Sequence, residues 1–180
     1  MKATQYRTVF RSPVGQLTIS SDGTDITGLW IENQAHFGST LHADAVTQHL
    51  PVFDRCAEWL NRYFSGEIPV EQLPLAPAGT PFRRKAWDVL RCIPFGQTVT
   101  YGEIAAHLEQ ITGKHTSARA VGSAVARNPI SILIPCHRVV GSDGSLTGYA
   151  GGLEAKRFLL ALEGIPVTAG SRIVRSKAIR

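Results

Sequence analysis

Four prolines in a fifteen-residue stretch, Pro69, Pro74, Pro77 and Pro81, constrain this chain more than any other feature. Proline fixes φ and lacks a backbone donor, so neither a helix interior nor a central strand runs through 67–81. The segment reads as an extended crossing between two lobes, and the boundary is placed at residue 80, with 1–80 before it and 81–180 after it. A chain of 180 residues, 43% of them hydrophobic, can bury a core on both sides. That excludes a disordered tail or a disulfide-stapled miniprotein.

The two parts differ in pattern and charge. Residues 6–31 alternate apolar and polar between turn signals, as Tyr6 to Phe10, Leu17 to Ser20 and Ile26 to Ile31, which predicts an antiparallel meander. Residues 33–48 read as a solvated loop. His36, His42 and His49 invite a metal reading, but no Cys or paired carboxylate stands at ligand spacing, so no metal is expected. From Pro51 the spacing turns helical, with Phe53, Cys56, Leu60 and Phe64 on one stripe and Gly66 past its end, so Cys56 is expected to be a buried small hydrophobe. The net charge of +5 is uneven: 5 Lys/Arg face 8 Asp/Glu up to residue 80, and 14 face 6 from residue 81 on. A basic half fits a polyanion such as nucleic acid, or merely a soluble basic surface.

In the second half, Thr80-Pro81 opens a helix with a stripe of Phe82, Ala86, Val89 and Leu90, stopped by Pro94-Phe95-Gly96; Cys92 at its end is expected to pack. Thr100 to Glu103 is a capping box for a short helix through Ile104, Ala105 and Leu108, and after a turn containing Gly113 a second helix starts near Ser117 and ends before Pro129. This is the outline of a helix-turn-helix and equally of any αα-hairpin. The second helix is nearly bare, with Ala118, Ala120, Gly122, Ser123, Ala124 and Ala126, and Arg119 projects from its first turn. Such a surface lets another body come close to the backbone, whether DNA or a packed helix. Ile130 to Ile134 reads as a short apolar β-type run leading into Pro135-Cys136-His137-Arg138. A thiol beside an imidazole is a candidate nucleophile, because the thiolate is the reactive form.

Three cysteines, with no C-x-x-C pair, suggest a reducing compartment and neither a disulfide framework nor a zinc site. The first residues have no apolar core for a signal peptide and no stretch is long enough to span a bilayer, so the expectation is a soluble cytoplasmic protein, nucleoid-associated if bacterial, with no membrane partner.

Pro135-Cys136-His137-Arg138-Val139, preceded by Asn128-Pro129 and followed by Gly148-Tyr149-Ala150-Gly151-Gly152 and Leu162-Glu163-Gly164, resembles the O6-alkylguanine-DNA alkyltransferases, also called methylated-DNA-protein-cysteine methyltransferases. The resemblance runs from Phe82 to about Gly164 and extends to the N-terminal meander and helix. It implies an α+β protein with a small RNase H-like N-terminal lobe and a C-terminal winged helix-turn-helix lobe. It further implies a monomer that needs no cofactor, docks on double-stranded DNA through the minor groove and flips out the damaged base. The alkyl group of O6-alkylguanine, and of O4-alkylthymine, then passes once and irreversibly to the protein's own cysteine.

By the same resemblance Cys136 is the acceptor, His137 the base acting through a water, Glu163 the residue that orients the imidazole, and Asn128 a brace between the second helix and the active-site turn. Tyr101 offers its hydroxyl to the base, and Val139, Tyr149 and Ala150 line its pocket. Arg119 fills the vacated stack, while Ser117, Ala120, Gly122, Ser123 and Arg127 meet the DNA. Two features depart from the family pattern: a longer turn between Leu108 and Ser117, and Ala150 where other members have Ser. A Cys-His amidase and a DNA-binding module without chemistry are the rivals; the first leaves the bare helix unexplained and the second the cysteine. The basic end, Arg172, Arg175, Lys177 and Arg180, reads either as an ordered element or as a frayed, solvated tail.

Overall fold

In the computed structural model, which describes residues 4–173, the alternating N-terminal segments form a meander. Strand β1 (Tyr6–Ser12) turns through Pro13 and Val14 into β2 (Gly15–Ser21), which pairs antiparallel with β3 (Ile26–Ile31). The 33–48 segment departs from the loop expectation. Val46–Thr47 forms a short β4 parallel to β1, giving the order β3-β2-β1-β4. The cause is Gln5, whose side-chain carbonyl accepts from the backbone of His42 at 2.7 Å while its own carbonyl accepts from Val46 at 2.9 Å. One buried amide thus folds a polar stretch that carries no periodic signal.

Helix α1 (Pro51–Phe64) has proline in its first turn and buries Val52, Phe53, Cys56, Leu60 and Tyr63. Its stripe therefore ends on Tyr63, and Phe64 is only half-buried. Cys56 is fully enclosed, and burial pushes its thiol up to about 12. The proline-rich segment is extended and closes part of the free edge of β3: Ile26 donates to Pro74 at 2.8 Å and Ala76 donates to Ile26 at 2.9 Å. Farther along the same edge Leu29 donates to Pro129 and Ser131 donates to Leu29, both at 2.8 Å. An open strand edge is a liability, and here the second lobe covers it.

The C-terminal lobe is helical. Thr80 caps α2 (Pro81–Arg91), whose buried residues are Ala86, Trp87 and Leu90, whereas Phe82 is 38% exposed. The Trp87 indole donates to the Ala124 carbonyl at 2.9 Å and fixes α2 across the next helix pair. Cys92 is exposed rather than packed, because it lies about 200° around the helix from Leu90. The capping box of Thr100 and Glu103 opens α3 (Tyr101–Thr112), and Gly113, at φ 66°, ends it in a left-handed turn. His115 reaches back to Glu109 at 3.2 Å across the turn before α4 (Ala118–Ala126). Ile104, Ala105 and Leu108 of α3 and Val121, Ala124 and Val125 of α4 enter the same hydrophobic core as β2, β3 and α1. A two-residue parallel ladder of β5 (Val99–Thr100) with β6 (Val139–Val140) and helix α5 (Leu153–Leu162) complete the lobe. Arg172 pairs with Asp143 at 2.9 Å, while Arg175, Lys177 and Arg180 lie outside the described residues. The result is a mixed α+β protein with a sheet lobe and a helix-turn-helix lobe. Among the described residues no helix is long and apolar enough to cross a membrane.

Candidate active site

The segment expected as a β-run makes one bridge, Ile130 to Leu29, and then turns. Ile132 sits at φ 70°, a conformation costly for a β-branched residue, and is buried. Asn128 spans this turn. Its carbonyl oxygen accepts from Ile130 at 3.0 Å, and its amide donates to Ile134 at 2.9 Å and to the Cys136 sulfur at 3.1 Å. The chain then enters a single 3₁₀ turn, Cys136–Arg138, that buries all three side chains.

Behind the sulfur lies a saturated ionic cluster. Glu163 Oε1 accepts from His137 Nε2 at 2.7 Å, from Tyr63 Oη at 2.7 Å and from Arg138 Nη2 at 3.0 Å. Oε2 accepts from Arg138 Nε at 2.9 Å and from the Gly96 backbone at 3.1 Å. Burial would raise the carboxyl, but His137 and Arg138 outweigh it and bring it to about 2. His137 is lowered, chiefly by burial against the opposing pull of Glu163, so at neutral pH the imidazole is a free base. Its Nδ1 is buried and has no protein partner. The Cys136 thiol is raised by burial, with the Asn128 hydrogen bond and the Lys156 charge acting against the rise. The sulfur is therefore held as a thiol beside groups that favour the thiolate.

The walls around it are tied together by Lys156. This fully buried ammonium donates to the Val139 carbonyl at 2.5 Å and to the Thr147 carbonyl at 3.0 Å, and burial lowers it to about 8. The Tyr101 hydroxyl donates to the same Thr147 carbonyl at 2.9 Å, so α3 and α5 meet on one acceptor. Two glycines are required at this wall. A Cβ at Gly148 would stand 2.8 Å from the Tyr101 hydroxyl, and one at Gly151 would stand 2.6 Å from the Tyr149 ring and 2.8 Å from Ile31. Tyr149 is buried with its hydroxyl unpartnered, and the Ala150 carbonyl accepts from Ala35 of the first lobe at 2.9 Å.

The structure thus brings Cys136, His137, Asn128, Glu163, Val139, Tyr149 and Tyr101 around one turn. Ser117, Arg119, Ser123 and Arg127 are exposed along α4, with Ala120 and Gly122 half-buried between them. Arg119 and Arg127 form no ion pair among the described residues. Sequence reasoning missed Tyr63, Lys156 and the role of Arg138. Tyr63 falls three residues after Leu60 on the buried stripe, and an enclosed phenol signals a polar partner elsewhere in the chain. Lys156 sits among Ala155, Leu159 and Leu160 on the buried face of α5, which is the one available sign.

The ribonuclease-like domain of 6-O-methylguanine DNA methyltransferase matches residues 5–77 as a family model, and its DNA binding domain matches residues 81–165. The methylated-DNA–protein-cysteine methyltransferase of Haemophilus influenzae is 46% identical over 162 residues, covering 89% of this chain and 87% of its own. That of Methanosarcina acetivorans is 41% identical over 160 residues, 88% of this chain and 98% of its own. The crystal structure of Mycobacterium tuberculosis O6-methylguanine methyltransferase superposes with a TM-score of 0.76 at 40% identity, covering 89% of this chain and 93% of that one. The structure of Mycobacterium tuberculosis OGT in complex with DNA gives 0.77 at 39%, covering 88% and 92%. With both lobes matched and the site residues gathered around one turn, this chain belongs to the 6-O-methylguanine DNA methyltransferase family.

Proposed function

We infer that the protein repairs DNA by direct reversal, moving the alkyl group of O6-alkylguanine onto Cys136 in one irreversible event. The observation that carries this reading is the enclosed Cys136 sulfur, held by Asn128 and followed in the next residue by the imidazole that Glu163 orients. The thiol proton passes through a water to His137 Nδ1, the ring nitrogen without a protein partner. The sulfur lone pair forms a bond to the alkyl carbon while the carbon–oxygen bond breaks, and its electrons go to guanine, which takes up a proton. Nothing returns the thioether to the thiol, so each chain acts once. Lys156 and Asn128 favour the thiolate as it forms, and Tyr101, whose proton goes to the Thr147 carbonyl in the free protein, turns its hydroxyl to the departing base.

Val139, Tyr149 and Ala150 line the base pocket in this reading. The exposed face of α4 docks in the minor groove of duplex DNA, which suits a helix with few side chains able to read base edges. The alkylated nucleotide is flipped out, and Arg119 fills the gap. Ser117, Ala120, Gly122, Ser123 and Arg127 meet the backbone. The relative solved with DNA supports a nucleic-acid partner. Residues 1–80 form the supporting domain and 81–180 the DNA-binding and acceptor domain; the protein works as a monomer in the cytoplasm, on the nucleoid if bacterial. O4-alkylthymine is the second substrate by the same substitution.

The test is the intact mass after incubation with O6-methylguanine duplex DNA. One methyl group per chain is expected, mapped to Cys136, with DNA binding kept and transfer abolished in Cys136→Ser. Methyl on Cys56 or Cys92 would overturn the assignment. Binding without any gain in mass would indicate a module without chemistry, and repeated turnover of an amide or ester substrate an amidase.

A further inference from the structure

We propose that the N-terminal lobe takes part in the chemistry through Tyr63, a positioning residue whose hydroxyl, by donating to Glu163, keeps that carboxylate from drawing a second proton onto His137 and so leaves Nδ1 free as the base. This deepens the alkyl-transfer reading and rests on it. The argument is a count of protons. Ionised Glu163 can only accept, and its Oε1 lies 2.7 Å from both Tyr63 Oη and His137 Nε2. Tyr63 has one proton and directs it to the carboxylate. Its oxygen, 3.3 Å from His137 Nε2, therefore faces the ring as an acceptor. Nε2 meets two acceptors and no donor, so it must carry the proton.

The phenol is held in place for this task. Tyr63 is fully buried, stacked on Trp59 at 5.3 Å and met edge-on by Phe64 and Phe95. It reaches the second lobe from α1, across a hundred residues of sequence from Glu163. The groups facing the imidazole are Glu163, Arg138, Lys156 from α5, Tyr149 from the preceding loop and Tyr63 itself. Of these Glu163 alone is anionic at neutral pH, and the Tyr63 hydrogen bond tempers its basicity. Removing that donor makes the carboxylate a stronger acceptor for Nε2–H and favours the imidazolium.

The experiment compares wild type with Tyr63→Phe, which keeps the ring and removes the hydroxyl. Single-turnover transfer from O6-methylguanine duplex DNA is measured across pH. The acid limb of the rate profile should move up by roughly half a unit to one unit, making the variant about three- to tenfold slower at the acid end and close to wild type at the alkaline end. Duplex affinity should be unchanged. An unmoved profile, or a uniform loss at every pH, would overturn the proposal, the latter marking Tyr63 as a packing residue only. Nitrogen-15 NMR of His137 in unreacted wild type and Tyr63→Phe gives an answer independent of transfer. Wild type is expected as the neutral ring with its proton on Nε2, and the variant should form the imidazolium at a pH higher by the same margin of roughly half a unit to one unit. Identical titrations or a proton on Nδ1 would overturn the proposal. If wild type fails to alkylate Cys136, the functional reading falls, while the two His137 titrations still decide the role of Tyr63.

Discussion

The pocket around Glu163 and the outer face of α4 belong to one lobe and follow opposite rules. At Glu163 five hydrogen bonds converge on two oxygens, and three of the four residues that supply them, Tyr63, His137 and Arg138, do so through buried side chains. Along α4 the exposed and half-exposed positions carry Ala118, Ala120, Gly122 and Ser123, with Arg119 and Arg127 as the charged groups. Buried charge demands full satisfaction, because an unpaired ion in the interior costs several kcal/mol. A surface that meets a groove demands the reverse, since each extra side chain holds the backbone away from its partner. In the proposed function, polar detail marks where protons move, and its absence marks where DNA would come close.

The largest effect should follow from breaking the saturated side. Glu163→Gln leaves Arg138 and His137 without a carboxylate in a site closed to water, which should cost about 3–5 kcal/mol in urea unfolding at neutral pH. It should also flatten the pH dependence of stability. The folded-state carboxyl lies at about 2 against an ordinary 4.5, so its contribution is complete above pH 4.5 and is lost as the pH falls toward 2. Wild type should lose roughly 3 kcal/mol across that window on this account. His137, lowered mainly by burial, adds to the loss in the same direction once the pH drops below its ordinary 6.5. A Glu163→Gln curve parallel to wild type between pH 5 and 2 would show that the cluster does not set acid stability.

The two sides were unequally legible in the sequence. The bare helix, its Ser117 cap and the projecting Arg119 are local features, and they stand in the structure where the spacing puts them. So are the capping box at Thr100 and the apolar stripe of α1 up to Leu60. The Glu163 cluster is assembled from α1, the turn at Gly96 that follows α2, the 3₁₀ turn and the end of α5, and pairs a hundred residues apart leave no periodic trace. Lys156 was missed for the same reason: its acceptors are backbone carbonyls, which any sequence supplies. The Ile130–Ile134 run misled because apolar content signals burial and not extension. Asn128 and the left-handed Ile132 bend it into the turn that carries Cys136.

On the bare side the next largest effect belongs to Arg119. If it fills the stack after flipping, Arg119→Ala should slow single-turnover repair of duplex DNA by about 10- to 100-fold, in line with a few kcal/mol of unstacking, and leave transfer from free O6-benzylguanine nearly unchanged. Lys should rescue in part, because it restores charge without the plane of the guanidinium. A mismatched opposite base should narrow the gap. Equal losses on duplex and free base would move Arg119 from the DNA face into the support of the pocket.

The smallest effect tests whether bareness itself matters. Ser123 is exposed on α4, and its side chain enters none of the hydrogen bonds that cap or brace the helix. Ser123→Leu should therefore change unfolding free energy by no more than about 0.5 kcal/mol, since surface substitutions away from special features rarely do more and Leu is the better helix former. In a groove the same isobutyl group stands between backbone and DNA. Duplex affinity at fixed salt should fall about three- to tenfold, by the loss of one or two close phosphate contacts, and the slope of affinity against salt should shrink with them. Free O6-benzylguanine should react at the wild-type rate, because Ser123 is exposed while Cys136 is buried and braced by Asn128 rather than by Ser123. If Ser123→Leu binds duplex DNA as wild type does while Arg119→Ala does not, the finger would act from a helix that stands off the groove. The small residues of α4 would then serve its packing against α2 and α3, where Ala124 already receives the Trp87 indole.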